Sequence, residues 1–574
     1  MLSNESSLVI RKFNAACFCC TRIANLPIRL LMHLPKSFLY LFCFTHFILV
    51  IAVCHAQQNF ATGIPHLQKN GKSTQLVVDG KPFLIIGGEL NNSTSSSVAY
   101  MKPVWQLMTD LHFNTSLTPL PWDLVEPLEG KFDFSLVDSL ILGARQNNMH
   151  IVFLWLASWK NGMSSYAPLW VKENYKKYPR IKIKEGQTME VLTPLSMTSA
   201  EADAKAFAAV MKHIKEFDGV NHTVLMMQVE NEVGVLDDSR DRSPIANTAF
   251  SGAVPKELTD YLSKNKVALV PEIKERWEKN GAKVSGSWEE IFGKSLSTDE
   301  IFMAWNYARY INKVIEAGKK EYPVPMYTNA WLNQGDDPKP GNYPSGGPLD
   351  HVFDIWLAGA PAIDILSPDV YVAEYDERCR RFTQRGNPLF IPEMNSGDDG
   401  ARNVFRAIGK YNAIGVSPFG IDHLAKDAAL GKSYDALSQL SSIITEKQAK
   451  GETIGFVVDE KNPSFTLNLG GYTLEISLDE IFGHRSKLGY GIVMTDDGPN
   501  KFIGAGSGFR VRFFPTVKDN KTIIGIGNVD EGEFINNKWV PGRRLNGDEN
   551  DQGRAFRFGF RKLAIQKCTV YKYE

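Results

Sequence analysis

Cysteine is scarce in most of this 574-residue chain. Five of the seven cysteines lie before Gln57, and only Cys379 and Cys568 follow it. A small secreted module framed by disulfides needs an even and dense set of cysteines in its folded part. At most one bridge can form after Gln57, so we expect the fold to rest on its own hydrophobic core.

The chain also lacks a surplus of charge, because 64 Lys and Arg balance 64 Asp and Glu. This balance argues against a protein that coats nucleic acid, whose phosphate contacts need surplus cations. No group of histidines and cysteines has metal-ligand spacing, and we predict neither a metal nor a cofactor. Residues 504–508 lack the Lys-Ser/Thr ending of a phosphate-binding loop, and we interpret them as a glycine-rich turn.

Only one apolar run, residues 38–54, has about the length of a signal-peptide core or a short membrane span. Lys36 precedes it, and small residues precede a cleavage position after Ala56. We therefore expect a secreted or periplasmic protein with no membrane contact after cleavage, an uncleaved anchor being the alternative. Residues 1–31 are long for a signal, and Met32 is a hypothetical alternative start.

Eight short apolar runs follow from about residue 70, with helical patterns between them. Nearly continuous runs are typical of parallel strands buried on both faces. Eight such strands alternating with helices predict an α/β fold, a closed (β/α)8 TIM barrel. The runs cover residues 83–90, 113–120, 150–157, 224–232, 325–331, 364–371, 388–395 and 413–420.

After about residue 450 the pattern changes to short strands separated by turn residues, which predicts a smaller all-β domain. The expected organisation is a leader with its signal peptide over 1–56, a catalytic barrel over 57–445 and an all-β C-terminal domain over 446–574.

Two glutamates close apolar runs at the carboxyl ends of predicted strands. Glu232 ends the fourth run and Glu393 ends the seventh. Barrel chemistry takes place at this end, and two carboxyl groups across one mouth suit hydrolysis of a glycosidic bond. Glu230 competes with Glu232, because residues two apart on a regular strand share a face. Glu232 is nearer the mouth, but strand geometry leaves both open.

The sequence at 228–234, QVENEVG, resembles the signature QVENEYG of glycoside hydrolase family 35, the β-galactosidases. Trp122 and residues 125–134 resemble that family's second-strand motif, an aromatic followed by HEPxxGxFDF. Residues 78–83 and 387–393 resemble the VDGKPF and NPLFxxE patterns of a bacterial branch with a compact C-terminal β domain.

This resemblance implies a retaining mechanism in which Asn231-Glu232 supplies the acid/base and Glu393 the nucleophile. Two departures leave the exact sugar open. Many family members open the first strand with Gly-Glu-Phe-His-Tyr, whereas residues 88–92 are Gly-Glu-Leu-Asn-Asn. Ser158 stands where many members have a sugar-binding glutamate.

Other polar and aromatic residues at or near strand ends are candidates for holding the sugar. For each of them, a structural cap or ordinary barrel packing is the alternative. The polar candidates are Glu89, Asn91, Glu126, Asn231, Asn329, Asp369 and Asp422. The aromatic candidates are Trp155, Trp159, Tyr327, Trp331, Tyr371 and Phe419.

These features predict a secreted retaining exo-glycosidase that removes terminal β-galactose from oligo- or polysaccharide side chains. The alternatives are the same mechanism on a β-arabinoside, fucoside or glucoside, and a non-catalytic glycan-binding barrel. The expected partner is a β-linked glycan and not a nucleic acid, and the sequence favours no oligomeric state.

Overall fold

The structure of the protein is a computed structural model that describes residues 63–334, 338–481, 483–517 and 521–574. The predicted leader, with its cleavage after Ala56, lies outside these ranges. Within them, no helix combines the length and the apolar character needed to cross a bilayer.

Eight parallel strands form a closed barrel, which confirms the predicted fold class. The seventh strand is interrupted at Pro392, which has no N–H to contribute to a ladder. Its first half pairs with the eighth strand and its second half with the sixth, so the sheet closes on itself. The strands are β1 (Ile85–Glu89), β2 (Thr115–Pro121), β3 (His150–Lys160), β4 (Val224–Asn231), β5 (Met326–Trp331), β6 (Ile365–Val370), β7 (Phe390–Ile391 and Glu393–Met394) and β8 (Gly415–Val416).

Large apolar side chains from the strands fill the barrel interior. A small antiparallel sheet before β1 contributes Leu76 and Val78 to the same cluster, and its strands are His66–Asn70, Ser73–Val78 and Lys81–Phe83. A hairpin of Arg180–Lys182 and Thr188–Leu192 lies in the connection from β3 to β4. Interior residues include Ile85, Leu117, Val152, Leu154, Leu225, Tyr327, Ile365, Phe390 and Ile414.

Helices surround the barrel, and Met197–Asp218 illustrates why they form. Phe207, Val210, Met211 and Ile214 recur at helical spacing and are buried. Ser196 caps the first turn by accepting a hydrogen bond from the backbone of Ser199. The α-helices are Val98–Asp110, Trp122–Val125, Ser135–Gln146, Leu169–Glu173, Met197–Asp218, Pro244–Ser251, Lys256–Asn265, Pro271–Lys279, Trp288–Phe292, Leu296–Glu321, Phe353–Gly359, Tyr375–Phe382, Asp398–Tyr411 and Ala429–Lys450. Single 3-10 turns lie at Thr94–Ser96, Lys184–Gly186, Asp350–Val352, Gln384–Gly386, Ile421–His423 and Gly547–Asn550.

The C-terminal region consists of two antiparallel sheets with a shared core that includes Phe456, Leu474, Phe509 and Phe558. The larger sheet has the order Thr453–Asp459, Leu488–Thr495, Lys501–Ser507, Ala564–Tyr573, Ile523–Ile535 and Lys538–Leu545. The smaller sheet has the order Ser464–Leu469, Tyr472–Leu478, Phe509–Pro515 and Phe556–Phe558. A two-stranded ribbon joins Glu480–Ile481 to His484–Arg485.

The larger sheet packs directly on barrel helices. Strand Thr453–Asp459 lies against helix Asp398–Tyr411 so closely that a β-carbon added at Gly455 would be 1.8 Å from the carbonyl oxygen of Phe405. Ile492, Met494 and other side chains of the larger sheet belong to the same core cluster as the barrel helices. The barrel and the β region therefore share one continuous core.

Two details differ from the sequence predictions. The predicted boundary at 445/446 falls inside helix Ala429–Lys450, and strands begin at Thr453. The predicted turn at 504–508 is wrong, because these residues belong mostly to strand Lys501–Ser507. Glycine suits this strand, since a β-carbon at Gly504 would be 2.6 Å from the ring of Phe558.

The two cysteines of the described residues, Cys379 and Cys568, are both free and buried. Burial raises the pKa of each thiol, which disfavours the reactive thiolate. No disulfide therefore contributes to the fold of the described part of the chain.

Candidate active site

Five ionisable side chains meet at the carboxyl ends of the barrel strands. Glu89 ends β1, Lys160 ends β3 and Glu232 follows β4, while Asp369 lies in β6 and Glu393 in β7. Each residue is at most 5% exposed. One carboxylate oxygen from each of Glu232, Asp369 and Glu393 lies within 4.8 Å of the other two. The fold thus brings both predicted glutamates together, with further carboxyl groups and an ammonium group around them.

Three donors hold the Glu393 carboxylate in place. The side-chain amides of Asn231 and Asn329 each donate to its Oε1 at 3.2 Å. The hydroxyl of Tyr371 donates to its Oε2 at 3.1 Å. Both oxygens of the Glu393 carboxylate are therefore held in a defined orientation.

Glu232 lies in a different electrostatic environment. Burial, reinforced by the charge of Glu393 and opposed by Lys160, raises the pKa of Glu232 to about 8. The backbone N–H of Glu232 donates to Asn329 Oδ1 at 2.9 Å, and the side-chain amide of Asn161 donates to the carboxyl group. Its backbone has a left-handed φ of 43°, a strained conformation of the kind that clusters at functional sites. With a pKa of about 8, the carboxyl group of Glu232 keeps its proton at neutral pH.

Glu89 and Asp369 complete the carboxyl group cluster. Burial, together with the charge of Glu393, raises the pKa of each well above its ordinary value. Asn329 donates to Asp369 Oδ2 at 2.8 Å, but Asp369 Oδ1 and Glu89 Oε2 are buried without a protein partner. A protonated carboxyl group both donates and accepts, so these two side chains can bind hydroxyl groups of a ligand.

The competitor Glu230 does not face this pocket. Four residues of β3, 156–159, stand opposite the single residue Glu230 of β4. The Glu230 carboxyl group fills this bulge and accepts from the backbone N–H groups of Ala157, Ser158 and Trp159 at 2.9 to 3.3 Å. Its φ of 62° breaks the regular alternation that would have turned Glu230 and Glu232 to one face.

Two predicted sugar-binding residues have structural roles instead. Trp155 belongs to the outer core, where its indole N–H donates to Asp203 at 2.9 Å. Glu126 accepts from the indole of Trp122 at 2.8 Å and from the backbone of Gly130 at 2.7 Å. Both oxygens of Glu126 are engaged in these hydrogen bonds. The structure therefore places neither Trp155 nor Glu126 in the pocket.

Asn91 joins two loops at the barrel mouth. Its side-chain amide donates to Asp422 at 3.0 Å, and Thr94 donates to the other oxygen of the same carboxylate. This tie connects the loop after β1 to the loop after β8. The structure thus places Asn91 and Asp422 in a loop contact and not among the carboxyl groups.

The remaining aromatic candidates lie at four different positions. Tyr327 is fully buried in the barrel interior, two residues before Asn329, where the charges of Glu89 and Asp369 act on its phenol. Trp331 is partly exposed at the end of β5, and Tyr371 holds Glu393 at the mouth. Trp159 points outward, where its indole donates to a backbone carbonyl of the β3–β4 connection. Phe419 forms a backbone bridge to Glu89 beside the pocket.

Sequence reasoning missed Lys160 and Asn161, which directly follow the apolar residues of β3. Ser158, interpreted as the replacement of a sugar-binding carboxylate, is buried away from the pocket. Its hydroxyl contacts Asp203 at 3.0 Å and Tyr310 at 2.8 Å. The signal that could have found Lys160 is a lysine closing an otherwise apolar run.

Within the described ranges, one cluster of acidic, histidine or cysteine side chains is compact enough to hold a metal ion. It consists of Glu232, Asp369 and Glu393. Lys160 already supplies positive charge at this place, since its pKa is raised by the surrounding carboxylates although burial opposes this. Two carboxyl groups side by side, one of them with a raised pKa, form an arrangement that can support proton transfer and nucleophilic attack.

The comparison with family models finds a match for part of the barrel sequence. Residues 96–316 match the model of the glycoside hydrolase family 42 β-galactosidases. Residues 96–316 are therefore similar to a β-galactosidase domain of that family. The matching model is that of family 42, so the family 35 assignment suggested by the motifs is not supported, whereas the broader glycoside hydrolase assignment holds. Residues 430–557 match a second model, described as Domain of unknown function (DUF5597).

A curated β-galactosidase from Xanthomonas manihotis is 28% identical over 176 residues, which is 29% of this chain and 26% of that protein. This chain thus spans about a quarter of the length of that relative. Among solved structures, a β-galactosidase from Bacillus circulans sp. alkalophilus has a TM-score of 0.44 at 15% identity, covering 63% of this chain and 57% of that one. A family 42 β-galactosidase from G. stearothermophilus has a TM-score of 0.43 at 10% identity, covering 85% and 98%.

Proposed function

We propose that the protein is a retaining exo-β-galactosidase with Glu393 as nucleophile and Glu232 as acid/base. The observation that carries this proposal is the close approach of the two carboxyl groups, whose oxygens lie within 4.8 Å of each other. Retaining glycosidases place the pair about 5–5.5 Å apart, whereas inverting enzymes leave about 6.5–9.5 Å for a water molecule. The short separation favours attack by a carboxylate over attack by water.

Two steps follow from this arrangement. Glu393 attacks the anomeric carbon and forms a glycosyl ester while Glu232 transfers its proton to the departing oxygen. Glu232, now a carboxylate, takes a proton from water, and the oxygen of that water displaces Glu393 from the anomeric carbon. The released sugar keeps its anomeric configuration.

The unpaired oxygens of Glu89 and Asp369 support recognition of a hydroxyl-rich ring beside the catalytic pair. A site built to bind hydroxyl groups rejects analogues that lack them, because its buried polar groups then have no partner. The β-galactosidase family model supports β-galactose as this ring.

The experiment is a panel of aryl β-glycosides in which NMR follows the anomer formed first. Release of β-galactose as the β-anomer supports the proposal. Preference for an arabinoside, fucoside or glucoside would assign a different substrate sugar to the same mechanism. Initial release of the α-anomer would overturn the retaining mechanism. Binding of glycans without hydrolysis of any panel member would overturn the enzymatic proposal and favour a non-catalytic glycan-binding barrel.

Variants of the two glutamates test their separate roles. We expect Glu393→Gln to abolish turnover on every substrate. Glu232→Gln should spare the first step on aryl glycosides with good leaving groups, which need little protonation. Equal loss of that step on activated and natural substrates would contradict the acid role of Glu232.

Secretion is also part of the proposal, supported by the apolar run 38–54 and the small residues before Gln57. The N-terminal sequence of the protein from culture fluid or periplasm tests it. A mature chain that starts at Gln57 supports secretion, and a chain that retains residues 38–54 contradicts cleavage.

A further inference from the structure

Among the residues that the structure describes, Lys160 supplies the positive charge of the carboxyl cluster, and nothing in the two-glutamate mechanism uses it. Its ammonium group donates to Asn231 Oδ1 at 2.7 Å, and the residue is 5% exposed. We propose that Lys160 is a positioning residue that aims the Asn231 amide at the nucleophile and balances the charge of the pocket. This inference rests on the proposed function and adds a residue to it.

The first effect concerns the direction of the Asn231 amide. A side-chain amide has a donating and an accepting end, and an ammonium group can only donate. Lys160 therefore requires the oxygen of Asn231 to face it, which turns the amide nitrogen toward Glu393 Oε1 at 3.2 Å. Without Lys160 this amide can rotate and leave the nucleophile with one donor fewer.

The second effect concerns charge. Burial lowers the pKa of Lys160, but four surrounding carboxyl groups raise it, and the net shift is upward. These groups belong to Glu89, Glu232, Asp369 and Glu393. An ionised carboxylate that is buried without a compensating cation is strongly disfavoured. One ammonium group therefore allows one carboxyl group to be ionised while its neighbours keep their protons.

Tyr166 and Tyr371 also face the group. The charge of Lys160 acts on the phenol of Tyr166, and the hydroxyl of Tyr371 donates to Glu393. Both phenols have raised pKa values, chiefly because of burial, and stay neutral in the working range. The charge balance thus depends on the carboxyl groups and Lys160.

Backbone hydrogen bonds hold the main chain of Lys160 in place. Its N–H donates to the carbonyl of Ser164 at 2.8 Å, and its carbonyl accepts from Met163 and Ser164 at 3.1 Å. This tight turn directly follows the bulge that Glu230 fills. The backbone therefore fixes the point from which the Lys160 side chain extends toward β4.

Four variants test the proposal. Lys160→Met removes the charge and the donor at similar volume, Lys160→Gln keeps a donor without charge, and Lys160→Arg keeps both. Lys447→Met is the matched control. Lys447 lies in helix Ala429–Lys450, away from the pocket, is equally buried and pairs with Asp497. Circular dichroism checks folding, and Lys160→Gln replaces Lys160→Met if the latter does not fold.

We expect Lys160→Met to lower kcat/KM by about 100-fold, as loss of one oriented donor does. The basic limb of its pH profile should move up by about one pH unit, since the charge of Lys160 lowers the pKa of Glu232. Lys160→Arg should keep the wild-type limb and recover part of the rate. A limb at the wild-type position in Lys160→Met, or a kcat/KM within about threefold of the control, overturns the proposal.

A second measurement does not need activity. Infrared difference spectra follow the protonated carboxyl band with pH, and subtraction of the Glu232→Gln spectrum assigns that band to Glu232. Its midpoint should also move up in Lys160→Met. If the wild type hydrolyses no glycoside, the proposed function fails, while an unmoved midpoint separately refutes the role of Lys160.

Discussion

The stability of the Glu232→Gln variant relative to the wild type should increase as the pH rises. In the folded chain, burial and the charge of Glu393 raise the pKa of Glu232 from 4.5 to about 8. Between these values the folded chain keeps a proton that the unfolded chain releases, so stability falls with rising pH. Glutamine does not titrate, and the variant escapes this loss.

The magnitude follows from the same pKa. Each pH unit between 4.5 and about 8 corresponds to about 1.4 kcal/mol. The variant should therefore gain about 5 kcal/mol on the wild type across this window, with a plateau above pH 8. Any hydrogen bond that glutamine makes or loses adds a constant offset without changing the slope.

Urea unfolding of both proteins at pH 5, 6, 7, 8 and 9 measures the difference. Glu290→Gln serves as the control, because hydrogen bonds from Ser287 lower the pKa of Glu290 below its ordinary value of 4.5. Its contribution is complete above that value, so its difference from wild type should be flat over the same range. A flat difference for Glu232→Gln as well would refute a raised pKa of Glu232.

Three further outcomes are expected. The turnover rate should fall as the pH rises through about 8, because the acid Glu232 must carry its proton, and a basic limb well below this value in a pH–kcat profile would contradict that assignment. Glu126→Gln should lower stability by about 1–3 kcal/mol in urea unfolding without changing KM, because one buried donor loses its acceptor; a changed KM would place Glu126 at the sugar. Gly455→Ala should lower the Tm, because the new methyl group would overlap the Phe405 carbonyl, whereas Gly559→Ala, with open space around it, should not. Equal melting temperatures for these two variants would contradict the tight barrel contact.

The barrel was predictable because its signal is local. Strands buried on both faces must be almost wholly apolar, and the predicted runs coincide with the eight observed strands to within a few residues. In the C-terminal region, strand Lys501–Ser507 was not predicted, because its glycines indicated a turn. Residues 504–508 look like a turn, yet Phe558 packs on Gly504 within a strand.

The surroundings of the catalytic pair were less predictable. Trp155 and Asn91 stand near strand ends as sugar-binding residues would, but their partners Asp203 and Asp422 come from distant parts of the chain. Side-chain direction at a strand end depends on bulges and left-handed residues, which a period of two residues does not describe.

By itself, the sequence determined an α/β barrel and the ends of its strands, and therefore the edge where Glu232 and Glu393 stand. Apolar continuity and strand count depend only on residue types along the chain. The tertiary structure decided which side chains turn into the pocket. The bulge of β3 opposite Glu230 removes that glutamate from the site and presents Lys160 to it. Such a register shift results from pairing two strands about 70 residues apart, which no local pattern encodes.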